Sequence, residues 1–181
     1  MKVIRRKIKD ITPALWEGGK TYEFFIYPES TSYADRNFVF RLSSATIEKS
    51  PSIFTNFQGY RRFLVMLAGD LIIERNGCLE QHAQGDVFAF SSSDLITSFS
   101  TGRDFNLMID QQAAIPFVST GALHLQIKEK FCFVYSFSNT SLTINQCLKK
   151  LDENECLIFI NPHKKEINLN GKTNFLYGYW S

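Results

Sequence analysis

Arg41 and Arg62 are the residues of this chain whose type and placement most demand a chemical explanation. Arg41 sits inside the alternating run that begins at Phe38. It shares a face with Val39, Ser43, Ala45 and Ile47, while Phe38, Phe40 and Leu42 point the other way. Arg62 opens the apolar run Phe63 to Leu67. A guanidinium carries a planar fork of donors that fits a carboxylate bidentately, which lysine cannot reproduce. Two such forks on neighbouring strands can hold one small anion, with the hydroxyls of Ser43 and Thr21 as supporting donors. Trp16, Phe54 and Phe57 can wall a pocket, and the Asn106 amide can orient a ligand. Plainer readings stand beside these: Arg41 paired with an internal carboxylate such as Asp104 or Asp86, the aromatics as core, and Asn106 closing a turn.

No nucleophile and no tuned acid and base pair is evident, which points to binding rather than catalysis. GxSxG, P-loop, GxGxxG and DxDxDG patterns are absent. The three histidines, His82, His124 and His163, are scattered: His82 in a polar turn, His163 after Asn161-Pro162, and His124 alternating with Ala122 and Gln126 in a strand-like run. Surface or structural roles are expected of them. The cysteines Cys78, Cys132, Cys147 and Cys156 form no CxxC pair and read as buried free thiols. If a reaction is catalysed, the arginines would hold the substrate and Tyr60 or His82 would move a proton.

The elements that must position these residues are strands. Phenylalanine is over-used, at 17 of 181 residues, and aromatic side chains suit half-buried pleated surfaces. Helical apolar spacing nowhere persists, and turns recur every eight to twelve residues, as in sandwiches, jelly rolls and barrels. Val3 to Ile8 reads as an opening strand, and Trp16 to Thr21 as a shaped glycine loop. Asn76-Gly77 signals a hairpin, and Thr101-Gly102 a turn. The second half echoes the first: moved forward by sixty-nine positions, Asn76, Cys78, Leu79 and Phe90 fall on Asn145, Cys147, Leu148 and Phe159. These features predict an all-β chain of two barrel lobes packed as one compact unit. Residues 1–110 form the first lobe with the N-terminal strands and 111–181 the second, the link lying near Gln111 to Gly121.

Charge narrows the partners. Lys and Arg total 20 against 18 for Asp and Glu, and the RRKIK segment is the only dense basic cluster, so nucleic acid is not expected. Neither a secretory signal nor an apolar run of membrane-span length stands out, so a cytoplasmic protein without a membrane partner is expected. A homodimer through an apolar outer strand face is a further partner to consider.

The order apolar strand, Gly69, strand, Asn76-Gly77, Gly85-Asp86 and aromatic strand is similar to the core of a cupin barrel. Cupin enzymes hold a metal through clustered histidines and a carboxylate; that set is absent here, and no metal or other cofactor is expected. Four segments in one order carry a more specific likeness: Trp16-x-Gly-Gly-x-Thr21, Phe40-Arg41-Leu-Ser43-x-Ala45, Phe54-Thr55-x-Phe57-x-Gly59-x-x-Arg62 and Asp104-Phe105-Asn106-Leu-Met108. Together they resemble the HutD/Ves family of bicupins over Trp16 to Met108. The chain departs from the family's pattern at Phe40, Thr55, Gln58 and Arg61, where tryptophan, serine, proline and often an acid are common. The resemblance implies a cytoplasmic, metal-free bicupin with two jelly-roll or cupin-like lobes. Its role would be regulatory or ligand-sensing, linked in the HutD branch to histidine utilisation and in the Ves branch to stress responses.

Overall fold

Aromatic and β-branched side chains at alternate positions, punctuated by turn residues, favour extended chain almost throughout. The computed structural model, which describes residues 1–181, holds seventeen strands, one 3-10 turn at Ile8–Asp10 and no α-helix. The first six strands are β1 (Lys2–Lys7), β2 (Ala14–Trp16), β3 (Gly19–Tyr27), β4 (Phe40–Ile47), β5 (Ser52–Ile53) and β6 (Tyr60–Ala68). There follow β7 (Leu71–Arg75), β8 (Cys78–His82), β9 (Val87–Ser91), β10 (Ile96–Ser98) and β11 (Gly102–Asp110). The last six are β12 (Phe117–Ile127), β13 (Phe131–Ser136), β14 (Thr140–Ile144), β15 (Cys147–Leu151), β16 (Glu155–Ile160) and β17 (Ile167–Trp180).

The chain divides into two compact units, one of residues 11–113 and one of residues 1–10 with 114–181. Residues 11–113 form a six-stranded sheet, β2-β3-β4-β11-β6-β9, and a four-stranded sheet, β5-β10-β7-β8. Leu64 and Met66 of the larger sheet bury against Leu71 and Ile73 of the smaller, with Phe88 and Phe90 beside them. In the other unit one sheet runs β1-β16-β13-β17-β14-β15, with β12 also on β17. Leu123, Val134, Leu142, Phe159 and Phe175 belong to its core.

The pairing scheme of β6 to β11 recurs in β13 to β17. β6 lies between β9 and β11 as β13 lies between β16 and β17. β7 pairs with β8 and β10, as β14 pairs with β15 and the first part of β17. The offset of sixty-nine carries Leu71–Arg75 onto Thr140–Ile144 and Cys78–His82 onto Cys147–Leu151. Asn76 and Gly77 have φ of 51° and 84°, the two positive values that a type I′ hairpin requires, and Asn145 and Gln146, at 46° and 69°, make the same turn.

Four expectations are corrected. The opening strand does not join the first lobe, because β1 pairs along its whole length with β16, from Lys2 on Ile160 to Lys7 on Glu155. The wholly buried Glu155 carboxylate is bonded by the Arg5 guanidinium, so β1 supplies the cation that this acid needs, and the division falls between Ala113 and Ala114. The Trp16 to Thr21 stretch is a tight hairpin, with Trp16 opposite Gly19. A Cβ on Gly19 would stand 2.1 Å from the Thr46 carbonyl oxygen, so the glycine lets β4 approach. Thr101-Gly102 is not a free turn: Gly102 begins β11, and the register slips between Arg103 and Asp104 as a bulge. Finally, Cys78 and Cys147 are exposed because each follows a hairpin tip, whereas Cys132 and Cys156 are buried, with their thiols pushed up by burial.

Gly102 and Gly77 separate backbone strain from steric clash. Both have positive φ, but a Cβ on Gly77 meets nothing, while one on Gly102 would lie 2.1 Å from the Ala68 carbonyl oxygen. Gly77→Ala should cost about 1–2 kcal/mol, the price of a left-handed residue. Gly102→Ala should cost clearly more, because β6 must shift, and urea denaturation midpoints of the two variants measure the difference.

Candidate functional site

One face of the six-stranded sheet carries the site. Register places Arg41 of β4 and Arg62 of β6 on either side of Met108 of β11, so the three form one row across the sheet, with Phe90 of β9 at its end. The next row on the same face is Glu23, Ser43, Asn106, Leu64 and Phe88. A third holds Thr21, Ala45, Asp104 and Met66. A bulge in β3 between Glu23 and Phe25 sets this arrangement: it keeps Glu23 opposite Ser43, diagonal to Arg41.

Above these rows lies a cavity of about 280 Å³. Its walls include Trp16, Thr21, Arg41, Ser43, Phe54, Arg62 and Asn106, seven of the eight residues that the sequence singles out for ligand contact, Phe57 being the exception. Trp16 reaches it by folding its indole over Gly18, where a Cβ would meet the ring at 2.2 Å or less. Phe57 takes the plainer role: it is buried among Tyr33, Phe38 and Tyr60. Tyr60 donates its hydroxyl hydrogen to the Phe38 carbonyl, and His82 packs at a tilt against Phe88 beside Glu80, and neither candidate proton carrier lines the cavity. His124 and His163 are exposed in the other unit.

The two guanidiniums differ. Arg41 donates from Nε to Glu23 Oε2 at 2.6 Å and from Nη1 to Ser43 Oγ at 3.1 Å, with its Cζ 4.5 Å from the centre of the Tyr33 ring. Its internal partner is therefore Glu23, not Asp104 or Asp86. Asp86 is exposed and accepts the Ala83 N–H, and the β3 bulge hides Glu23 from a simple alternation count. Arg62 is only 6% exposed, and no carboxylate forms an ion pair with it. It donates from Nη2 to the Thr55 carbonyl at 3.1 Å and lies over Phe90, while its Nε is buried without a partner. Burial pulls this guanidinium down from its ordinary value, with Tyr33 and Asp104 acting against that pull. The pair of forks expected on one carboxylate becomes one arginine neutralised by Glu23 beside one without an ionic partner.

Asp104 is the third charge. Desolvation pushes its carboxyl up to about 7, although the Ala45 N–H donates to it at 3.2 Å and Arg62 and Arg41 favour the ionised form. With Arg41 cancelled by Glu23, the cavity carries one net positive charge when Asp104 is protonated and none when it is ionised. Two further buried polar atoms on the walls lack partners, Trp16 Nε1 and Asn106 Oδ1. Cupin barrels commonly house a metal, but this donor set does not fit one: two guanidiniums and a single carboxyl face the cavity, and nowhere does the chain gather three His, Cys, Asp or Glu side chains.

Antiparallel sheets with a cavity on one face define an all-β, cupin-like fold. The chain belongs to the HutD family, which it matches over residues 8–177. No curated protein matches it. Among solved structures it is similar to a conserved protein of unknown function from Pseudomonas aeruginosa PAO1, with TM-score 0.84 and 19% identity over 98% of this chain and 97% of that one. HutD from Pseudomonas fluorescens SBW25 aligns with TM-score 0.82 and 20% identity, over 99% of this chain and all of that one. A cupin 2 conserved barrel domain protein from Leptotrichia buccalis gives 0.62 at 7% identity, over 100% of this chain and 98% of that one. At these identities the likenesses establish the fold.

Asp104 gives the protein a pH signature. Its folded value, about 7, lies above its ordinary 3.8, so between these limits the native state binds more protons than the unfolded one. The stability it contributes is fully present below pH 4 and is lost as pH rises through 7. Thermal melts across that window should show the loss in the wild type and a flatter profile in Asp104→Asn, which keeps an acceptor for Ala45 but carries no charge.

Proposed function

We propose that this protein is a bicupin that binds a small carboxylate in the cavity of residues 11–113 and reports or buffers its level without turning it over. One observation carries the reading: Arg62 Nε is a buried, unanswered cationic donor on the wall of a cavity large enough for a ligand. A buried guanidinium without an ionic partner is costly, and an external carboxylate is the group that matches its charge and geometry. Ser43 supports the site indirectly, since its oxygen accepts from Arg41 and its hydrogen stays free to donate. The recurrent pairing scheme supports two cupin-like lobes. The family's link to histidine utilisation makes a carboxylate of histidine breakdown, in the cytoplasm, the first metabolite to test.

Asp104 favours a second reading. A carboxyl near 7 on the cavity wall is suited to move a proton, so a metal-independent isomerase or lyase would use Arg62 to hold the substrate and Asp104 as acid or base. Asp104 replaces Tyr60 and His82 in that role. Product analysis after incubation with candidate carboxylates separates the two: unchanged ligand supports binding alone, and a product lost in Asp104→Asn supports catalysis.

Acetate or formate should raise the melting temperature of the wild type, and Arg62→Met should abolish the shift while leaving the fold intact. Equal stabilisation of both proteins would remove the assignment. Affinity should also rise as pH falls from 8 to 6, because protonation of Asp104 removes the charge that repels the anion. In Asp104→Asn, titration calorimetry should find affinity nearly independent of pH over that range.

A further inference from the structure

The charged groups account for only part of the cavity wall. Ile47, Phe54 and Leu64 line it as well, and so do Leu15 and Ile53, each 78% exposed. Single exposed aliphatics are ordinary on a protein surface, but these two stand on separate strands, β2 and β5, and border the same opening. Ile53 also lies close to the charged end: the Thr55 carbonyl accepts from Arg62, and Ile53 is two residues earlier, no more than about 7 Å of extended chain away. Phe54 stands between them. A carboxylate held at Arg62 therefore has an apolar wall within reach of its own carbon body.

Size points the same way. A cavity of about 280 Å³ is close to the lower end of ordinary small-ligand sites, about 300 Å³. Formate or acetate would answer Arg62 and leave most of that space, and both rim aliphatics, against water. Charge sets the other limit, since the cavity offers a single net positive charge when Asp104 is protonated and has no second unpaired cation for a dianion.

Resting on the anion-binding reading above, we infer that the ligand is an amphipathic monocarboxylate, its head on Arg62 and its carbon body against Phe54, Ile53 and Leu15. The apolar mouth then determines which carboxylates are retained.

Titration calorimetry of the full chain with the straight-chain acids from formate to hexanoate tests this. Affinity should rise about three- to fourfold for each added methylene until the cavity is filled. The double variant Leu15→Ser, Ile53→Ser, altered only at exposed positions, should flatten that rise, and Arg62→Met should lose hexanoate binding. Equal affinity along the series, with Arg62-dependent binding of acetate retained, would overturn the amphipathic ligand and leave the anion site standing. Hexanoate binding that survives Arg62→Met would overturn it too, as adventitious apolar adsorption. Failure of every acid to bind would overturn both readings.

Discussion

A guanidinium withdrawn from water must be answered by an acceptor of opposite charge or remain a standing cost to the fold. Arg41 and Arg62 show the two cases side by side on one sheet face. Arg41 is answered within the chain by Glu23, its fork further occupied by Ser43 and its plane covered by Tyr33. Arg62 has the Thr55 carbonyl, the Tyr33 hydroxyl and the Phe90 face, but no carboxylate and nothing on its buried Nε. Asp104 is near enough to be felt by Arg62 but forms no ion pair with it, and burial raises its titration to about 7. The site is thus a charge set left one anion short, with a built-in proton that tunes the deficit.

The sheet produces this arrangement through register. Rows of cross-strand partners on β4, β11 and β6 place Arg41, Met108 and Arg62 in line, with Ser43, Asn106 and Leu64 in the next row. Two irregularities keep the rows useful. The bulge in β3 holds Glu23 opposite Ser43, and the bulge at the start of β11 lets Asp104 face Ala45 and Met66. Gly69, with φ of 81°, turns the chain from the larger sheet into the smaller where a Cβ would stand 2.8 Å from the Thr101 carbonyl oxygen. The cavity thereby gains a second wall from the β5 segment, including Phe54 and the carbonyl that restrains Arg62.

Much of this was legible in the sequence because period-two alternation and turn chemistry are local signals. The alternation from Phe40 to Ile47 gives the face of Arg41, Ser43 and Ala45, and the Asn76-Gly77 hairpin forms as expected. Phe38, expected beside Phe40 and Leu42, packs instead with Tyr60 and Met108 on the Arg41 face, because the alternation breaks before β4 begins. What the sequence does not show depends on long-range pairing. Nothing in VIRRK announces that β1 will run along β16, because that choice is made by the buried Glu155 at the far end of the chain. Glu23 does not stand out in the sequence because a bulge shifts the count by one, and the Trp16 hairpin reads as a loop because its glycines serve the approach of β4. The difference between a paired and an unpaired arginine likewise exists only once the strands are in register.

The most direct measurement is the electron density beside Arg62 in crystals soaked with acetate. A carboxylate oxygen within about 3 Å of Nε, on the cavity side of the row through Met108, is the expected result. Nε bound instead to the Asp104 carboxylate, with no ligand density and the cavity closed by the inward collapse of Phe54 and Leu64, would contradict it.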